Sequence, residues 1–343
     1  MTVQKGYIVL EAVLLLLFGF HSKTCATKYA GEFLSIGVGA RPLGMGGAFV
    51  SVANDATSPY WNPAGSPRID KKECIFMHSE IFEGLLKYDC LCFVYPHKKS
   101  AVGFNLMRLA VDDIPFITEL EFYDYGLDGV DGTLDEGEGN GEWDPGEILI
   151  YDKDKIEWVS NNDYALLLNY GTEIKENLSV GVNLKVIRRN IGHYTAWGSG
   201  VDLGVLFTPF DFFTIGMNIQ DVTTTFISWS TGRKEKITPT VKTGVSTVYN
   251  IASHHRLLFL VDQDLRFEYR GKSSQLSSGI VSADYHWGVE YSYRGLVSLR
   301  LGINEQEPTA GAGIYYKGYS IDYAFLSHEE LGSCHRISGG ISF

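Results

Sequence analysis

The chain has 343 residues, with 29 basic and 41 acidic side chains, for a formal charge of −12. Its mean hydropathy is close to zero, which excludes a bundle of membrane helices but not a membrane barrel, whose strands hide apolar residues by alternation. The acidic balance argues against nucleic acid as a partner.

The first 26 residues read as a secretory signal. Lys5 gives a positive start, 12–20 ("AVLLLLFGF") an apolar core broken at its edge by Glu11, and 24–26 ("TCA") small residues for cleavage. The apolar run falls short of the ~20 residues a spanning helix needs, and Ser22 stands where a lipoprotein signal at Cys25 wants Leu. Cleavage leaves Cys74, Cys90, Cys92 and Cys334. They contain no CxxC pair, and Cys90 and Cys92 share a strand face, so the pattern is no disulfide scaffold, although a disulfide after export stays open.

Residues 27–70 do not alternate. Gly37, Gly39, Gly44, Gly46 and Gly47 allow tight turns and close packing. No strand precedes them and no Lys-Ser/Thr follows, so they are not a phosphate loop. The run "NPAG" at 62–65 is a turn signature, with Pro63 fixing φ and Asn62 able to bond back onto the backbone.

From residue 73 the period is two. "YSIDYAF" at 319–325 puts Tyr319, Ile321, Tyr323 and Phe325 opposite Ser320, Asp322 and Ala324, and "VSLRLGI" at 297–303 repeats the pattern. Fourteen strands are expected near 73–80, 86–95, 99–108, 162–171, 177–189, 194–207, 211–220, 238–248, 255–266, 284–293, 295–304, 308–317, 318–326 and 334–343. The inward set is polar: Lys185, Arg188, Asp202, Asn218, Glu290, Arg300 and Asp322. A soluble sandwich core would reject these residues, whereas a barrel lumen accepts them. Short links such as "PHKK", "PFDF" and "KGY" alternate with mostly longer ones, notably 109–161, 221–237 and 267–283. Short turns at one end and long loops at the other mark an outer-membrane barrel with its long loops outside the cell. Plentiful Tyr and Trp suit aromatic girdles. On the last strand Ile337, Gly339, Ile341 and the terminal Phe343 face outward, which resembles the signal read by the barrel assembly machinery.

One insert holds nearly all the excess charge: residues 111–157 contain 16 Asp or Glu and two Lys. Within it, 136–147 fits a twelve-residue calcium loop. Glu136, Glu138, Asn140, Glu142 (through its carbonyl), Asp144 and Glu147 stand at ligand positions, Gly141 at the sharp turn and Trp143 in the apolar slot. Asp135 substitutes if the register slips, and Asp124 and Asp128 form a weaker second set. The flanks have no helical periodicity, so calcium would staple the loop rather than open a helix pair. No Gly-x-Ser-x-Gly or His-Glu-x-x-His occurs. His286, Glu290 and Ser292 share one strand but read as lumen lining, and His254 and His255 fall in a short turn. The chain is expected to be non-enzymatic.

The run 39–65 contains Arg41, Gly44, Met45, Gly46 and Gly47, then Ala53, Asn54, Asp55 and Ala56, then Trp61, Asn62, Pro63, Ala64 and Gly65. This resembles the N-terminal signature of FadL-like outer-membrane proteins, most closely the PorV/PorQ branch. The resemblance implies a 14-stranded antiparallel transmembrane β-barrel at 71–343, with 27–70 folded into the lumen as a plug whose Asn62, Pro63 and Ala64 lie near the periplasmic side. It favours a secretion-associated, type IX-like barrel that binds secretion components or cargo protein. The alternative is a passive transporter of hydrophobic small molecules, of the long-chain fatty acid type. A channel predicts an apolar pocket leading from the long loops to the plug. A partner-binding barrel predicts apolar or aromatic loop tips over a sealed lumen.

Overall fold

A computed structural model describes residues 31–343 other than 83, 118–120, 145–146, 151–154, 269, 271–273 and 328–331. The expected leader, 1–26, lies outside the described residues. Fourteen antiparallel strands close into a barrel. The first seven are β1 (Glu73–Ile81), β2 (Leu86–His97), β3 (Ser100–Ile117), β4 (Ile156–Lys175), β5 (Leu178–Ile191), β6 (Tyr194–Phe210) and β7 (Phe213–Gln220). The second seven are β8 (Thr240–Ala252), β9 (His255–Arg266), β10 (Val281–Tyr293), β11 (Val297–Asn304), β12 (Glu307–Tyr316), β13 (Tyr319–Leu326) and β14 (Cys334–Ser342). β14 pairs with β1 from Glu73↔Ser342 to Glu80↔His335, which leaves the barrel no open edge. A hairpin of Thr225–Trp229 and Lys234–Ile237 adds to the rim beside β6.

The alternation decides which face each residue takes. Lys185, Asp202, Asn218, Glu290, Arg300 and Asp322 are buried in the lumen. Arg188 is not: it stands three residues beyond Lys185, an odd step that sends it outward, where its guanidinium lies 5.6 Å from the Trp197 ring. Its neighbour Arg189 takes the lumenal place and meets Asp163 at 2.9 Å. The exterior is apolar, with Leu106, Leu184, Leu203, Leu301 and Ile321 exposed between aromatic residues such as Tyr170, Phe210, Tyr249, Tyr316 and Tyr319 near the short-turn ends. Such a surface belongs in a bilayer. Cys74, Cys90, Cys92 and Cys334 are all free.

Six short turns join strands at one end. The opposite end carries the long links 118–155, 221–239 and 267–280, but also two-residue links at 192–193 and 305–306. β3 and β4 outrun the expected ends at 108 and 162. Past a bulge between Val111 and Ile114 they stay paired to Ile117↔Ile156. This ribbon stands above the apolar belt, so backbone pairing holds it without the alternation that made the lower strands legible.

Residues 31–70 fill the lumen. A 3-10 turn at Glu32–Ser35 is followed by single helical turns at Ala40–Leu43 and Ser58–Trp61 and a second 3-10 segment at Pro63–Arg68. Val38, Met45, Phe49, Tyr60 and Trp61 are buried among Met77, Tyr88, Cys90, Met107 and Leu167 of the wall.

Candidate functional site

The plug is seated on glycines of the wall. On β4, β5 and β6, Gly171, Gly181 and Gly204 lie opposite one another in register, and the Asn62–Pro63 backbone lies against them. A Cβ on Gly171 would stand 2.8 Å from Pro67 Cδ and 2.9 Å from Pro63 O, and one on Gly204 would be 2.7 Å from Pro63 Cδ. Gly216 on β7 faces Val50 and Ser51 in the same way, while Gly288 on β10 and Gly302 on β11 face Met45 and Gly46. Gly311 on β12 meets Gly44, whose own Cβ would come within 3.1 Å of Gly311 Cα. The signal is present in the sequence as apolar–Gly–apolar triplets at inward positions: Val180-Gly181-Val182, Leu203-Gly204-Val205, Ile215-Gly216-Met217 and Leu301-Gly302-Ile303. The plug backbone can approach the wall this closely because the wall residue carries no Cβ.

Polar groups fix the plug's orientation. Asn62 Nδ2 donates to Val50 O at 2.9 Å and Val205 O at 3.1 Å, and its Oδ1 accepts from Ala64 N at 3.0 Å. Pro63 O accepts from Asn169 Nδ2 at 3.2 Å. Gly65 packs on the Ala53 carbonyl, too close for any Cβ. Gly46 and Gly47 have φ of 67° and 75°; Gly46 N donates to Thr309 Oγ1 at 2.9 Å and Gly46 O meets His286 Nδ1 at 3.0 Å. Trp61 Nε1 donates to Val38 O at 2.8 Å. Arg41 is the hub. It reaches Glu290 with Nε at 3.1 Å and Nη2 at 3.2 Å, and Asn54 and Asp55 with Nη1 at 2.8 and 3.2 Å. Burial alone would lower the Arg41 pKa, yet the Glu290, Tyr315 and Asp55 charges raise it well above its ordinary value. Glu290 is shared with Arg300 Nε at 2.7 Å, and Arg300 Nη1 reaches Asp322 at 2.6 Å. His286 and Glu290 are thus held as ties between plug and wall.

The lumen has two unlike sides. β5 to β13 carry the ion pairs, including Lys185 with Asp202 and Asp221 and Lys242 with Asp264. β1 to β4 present Met77, Tyr88, Cys90, Cys92, Met107, Leu109 and Leu167. Above this apolar side, at the long-loop mouth, lies a cavity of about 500 Å3. Ile81, Phe82, Leu86, Leu109 and Leu326 line its wall, and Phe33 and Ile36 of the plug form its inner side.

The acidic loop folds on itself. Asp124 accepts from Gly139 N and Gly141 N, each at 2.8 Å, and Asp128 Oδ1 accepts from Val130 N at 2.8 Å. Asp135 Oδ2 accepts from Asp128 N at 2.8 Å. Glu138 takes Gly132 N and Leu134 N, and Asn140 Oδ1 takes Glu142 N at 2.6 Å. Glu136 O accepts from Leu127 N at 3.2 Å. Asn140 Nδ2 donates to Asp144 Oδ2 at 2.7 Å, and Glu147 accepts from Gly126 N at 3.0 Å and Asp144 N at 2.8 Å. The carboxylates face backbone amides rather than one another, and among the described residues no three acidic, His or Cys side chains converge as a metal cluster would. At the tip Leu134 is 88% exposed, and Tyr123 stacks on Tyr125 with ring centroids 4.9 Å apart.

No protein-family model and no curated relative matches the chain. Solved structures do. The chain is similar to the CymD monoaromatic hydrocarbon channel, with a TM-score of 0.52 at 12% identity over 90% of this chain and 97% of that one. It is similar to the P. putida toluene transporter TodX, with a TM-score of 0.51 at 12% identity over 89% and 97%. A Pseudomonas aeruginosa FadL homologue aligns with a TM-score of 0.46 at 11% identity over 86% and 96%. The first two likenesses show a shared fold, a closed antiparallel β-barrel.

Proposed function

We propose that the protein is a non-enzymatic outer-membrane channel that admits small apolar molecules at the long-loop mouth and passes them past the plug. The observation that carries this reading is the cavity of about 500 Å3, whose apolar wall descends from the mouth onto Phe33 and Ile36. Its size and lining are those of a small-molecule site. Two proteins of similar fold are a monoaromatic hydrocarbon channel and a toluene transporter, which agrees with this choice. The secretion-linked reading of the PorV/PorQ type draws support from the 39–65 signature and from exposed loop-tip residues such as Leu134, but it does not call for the cavity. Export through 1–26 and insertion by the barrel assembly machinery complete the proposal. The test is uptake of toluene and octanol by proteoliposomes. Leu86→Glu and Leu326→Glu, which place charge in the cavity, should abolish uptake while the barrel still forms. Uptake equal to that of the unaltered protein would overturn the channel reading.

We also propose that the acidic loop takes calcium. Supporting this are its carboxylates on both arms of the loop and Asp135 Oδ1, which is buried without a hydrogen-bond partner. A cation would draw carboxylates that now accept from amides.

A further inference from the structure

Two neighbouring turns at the short-turn end enclose a second cleft, far from the mouth. Ser253 and His254 join β8 to β9, and 294–296 join β10 to β11. Pairing of β9 with β10 sets the turns side by side, and Arg294 N donates to His254 O at 2.8 Å, which ties them into one edge. Between them opens a cleft of about 730 Å3. It runs under the barrel wall, from His255 on the outer face to Asn250, Arg256 and Ser292, which share one register row on the inner face. Two arginines and two histidines line it, and no carboxylate does.

The arginines of this cleft lack an anion of their own. Arg294 is exposed and lies over the Tyr293 ring, 5.3 Å from its centroid. Arg256 is half-buried, and Glu290, the carboxylate whose charge reaches it, is already held by Arg41 and Arg300. His255 meets the Tyr291 hydroxyl at 2.7 Å, with its ring 5.1 Å from that of Tyr293. The outer wall beside the cleft is apolar and aromatic, with Tyr249, Ile251, Leu296 and Leu299 exposed. Short turns of such barrels face the periplasm, so this edge stands at the headgroup level of the periplasmic leaflet. Cations without counter-ions, next to an apolar wall at that level, match an amphiphile with an anionic head and apolar tails.

We infer that the cleft binds the phosphate group of one anionic glycerophospholipid from the periplasmic leaflet. Arg256 and Arg294 donate to the phosphate oxygens, and the acyl chains lie along Tyr249, Leu296 and Leu299. The site is independent of what crosses the lumen, and it gives the His254–His255 turn a role that the channel does not supply.

The test is native mass spectrometry of the full chain in detergent, titrated with phosphatidylglycerol or with zwitterionic phosphatidylethanolamine. One phosphatidylglycerol should be retained per barrel and should bind about tenfold more tightly than phosphatidylethanolamine, as two unpaired cations facing one net charge allow. Arg256→Gln and Arg294→Gln should each weaken phosphatidylglycerol binding about fivefold. Lys317→Gln, on the turn between β12 and β13, should leave it unchanged and so separates this cleft from general basicity of the edge. Arg294 is exposed on a turn, so its substitution leaves the wall intact and decides the matter even if Arg256→Gln fails to form the barrel. Equal binding of the two lipids, a preference that survives Arg294→Gln, or an equal loss with Lys317→Gln would overturn the site. Displacement of the lipid by millimolar inorganic phosphate would show a site for the free ion and overturn the lipid as its occupant.

Discussion

Gly181 is the sharpest test of the glycine seat. In an open position on a strand, Gly→Ala stabilises by roughly 0.5–1 kcal/mol, because glycine loses more backbone freedom on folding. Gly339 on β14 is such a position, with nothing within 4 Å of a built Cβ. Gly181 is the opposite. Its Cβ would fall on the Pro63 carbonyl and within 2.6 Å of Ala64 N, so the obstruction is backbone and cannot rotate away. Either β5 bows outward or the turn at Asn62 lifts. Lifting it strains the Asn62 bonds to Val50 O and Val205 O. Overpacking of this kind costs about 1–3 kcal/mol, which outweighs the entropic gain. The two substitutions should therefore differ in sign. Thermal unfolding in detergent, followed by the loss of compact migration on electrophoresis, reads the difference. Hydrogen exchange at residues 62–66 should quicken for Gly181→Ala and not for Gly339→Ala. If both substitutions raise the transition, or exchange at 62–66 stays unchanged, the wall glycines do not seat the plug.

Arg41→Ala removes four hydrogen bonds to Glu290, Asn54 and Asp55 and leaves Glu290 with Arg300 alone; breaking a buried ion cluster costs about 3–5 kcal/mol. Exchange should then rise across 40–56 while strand-pairing protection in β1 to β14 persists. Asn62→Ala should lower the unfolding transition by about 1–2 kcal/mol, for a lost cap and two orphaned carbonyl contacts. Trp143 Nε1 donates to Glu147 O at 3.2 Å, so calcium at the loop should shift tryptophan fluorescence in the intact protein, and Glu147→Gln should blunt the shift; a flat titration to millimolar calcium would count against the loop site. Arg188→Leu on the lipid-facing wall should change stability by no more than about 1 kcal/mol, since it removes only the stacking on Trp197.

The strand pattern was legible because side-chain period and burial coincide along most of the barrel. Where the two part, the sequence misleads. Arg188 and Arg189 are adjacent, and only the register decides which one meets Asp163. The ribbon from Val111 onward is hidden because neither of its faces is fully buried. The plug motif could be read as turns, but its partners could not, because Arg41 and Glu290 are separated by 249 residues. The wall glycines left a trace that alternation alone treats as weakness: a missing side chain at an inward position. Across β4, β5 and β6 that absence is in register, so it marks the place where a second backbone must fit.

The same logic applies to Arg336. Alternation sets it inward, as it sets Arg300 inward, and nothing local distinguishes the two residues. Arg300 finds Glu290 opposite it on β10 and reaches across β12 to Asp322 on β13. Arg336 finds Ser79, Tyr88 and Ala324. A buried cation among such neighbours is held in place by the closed wall rather than by its own contacts.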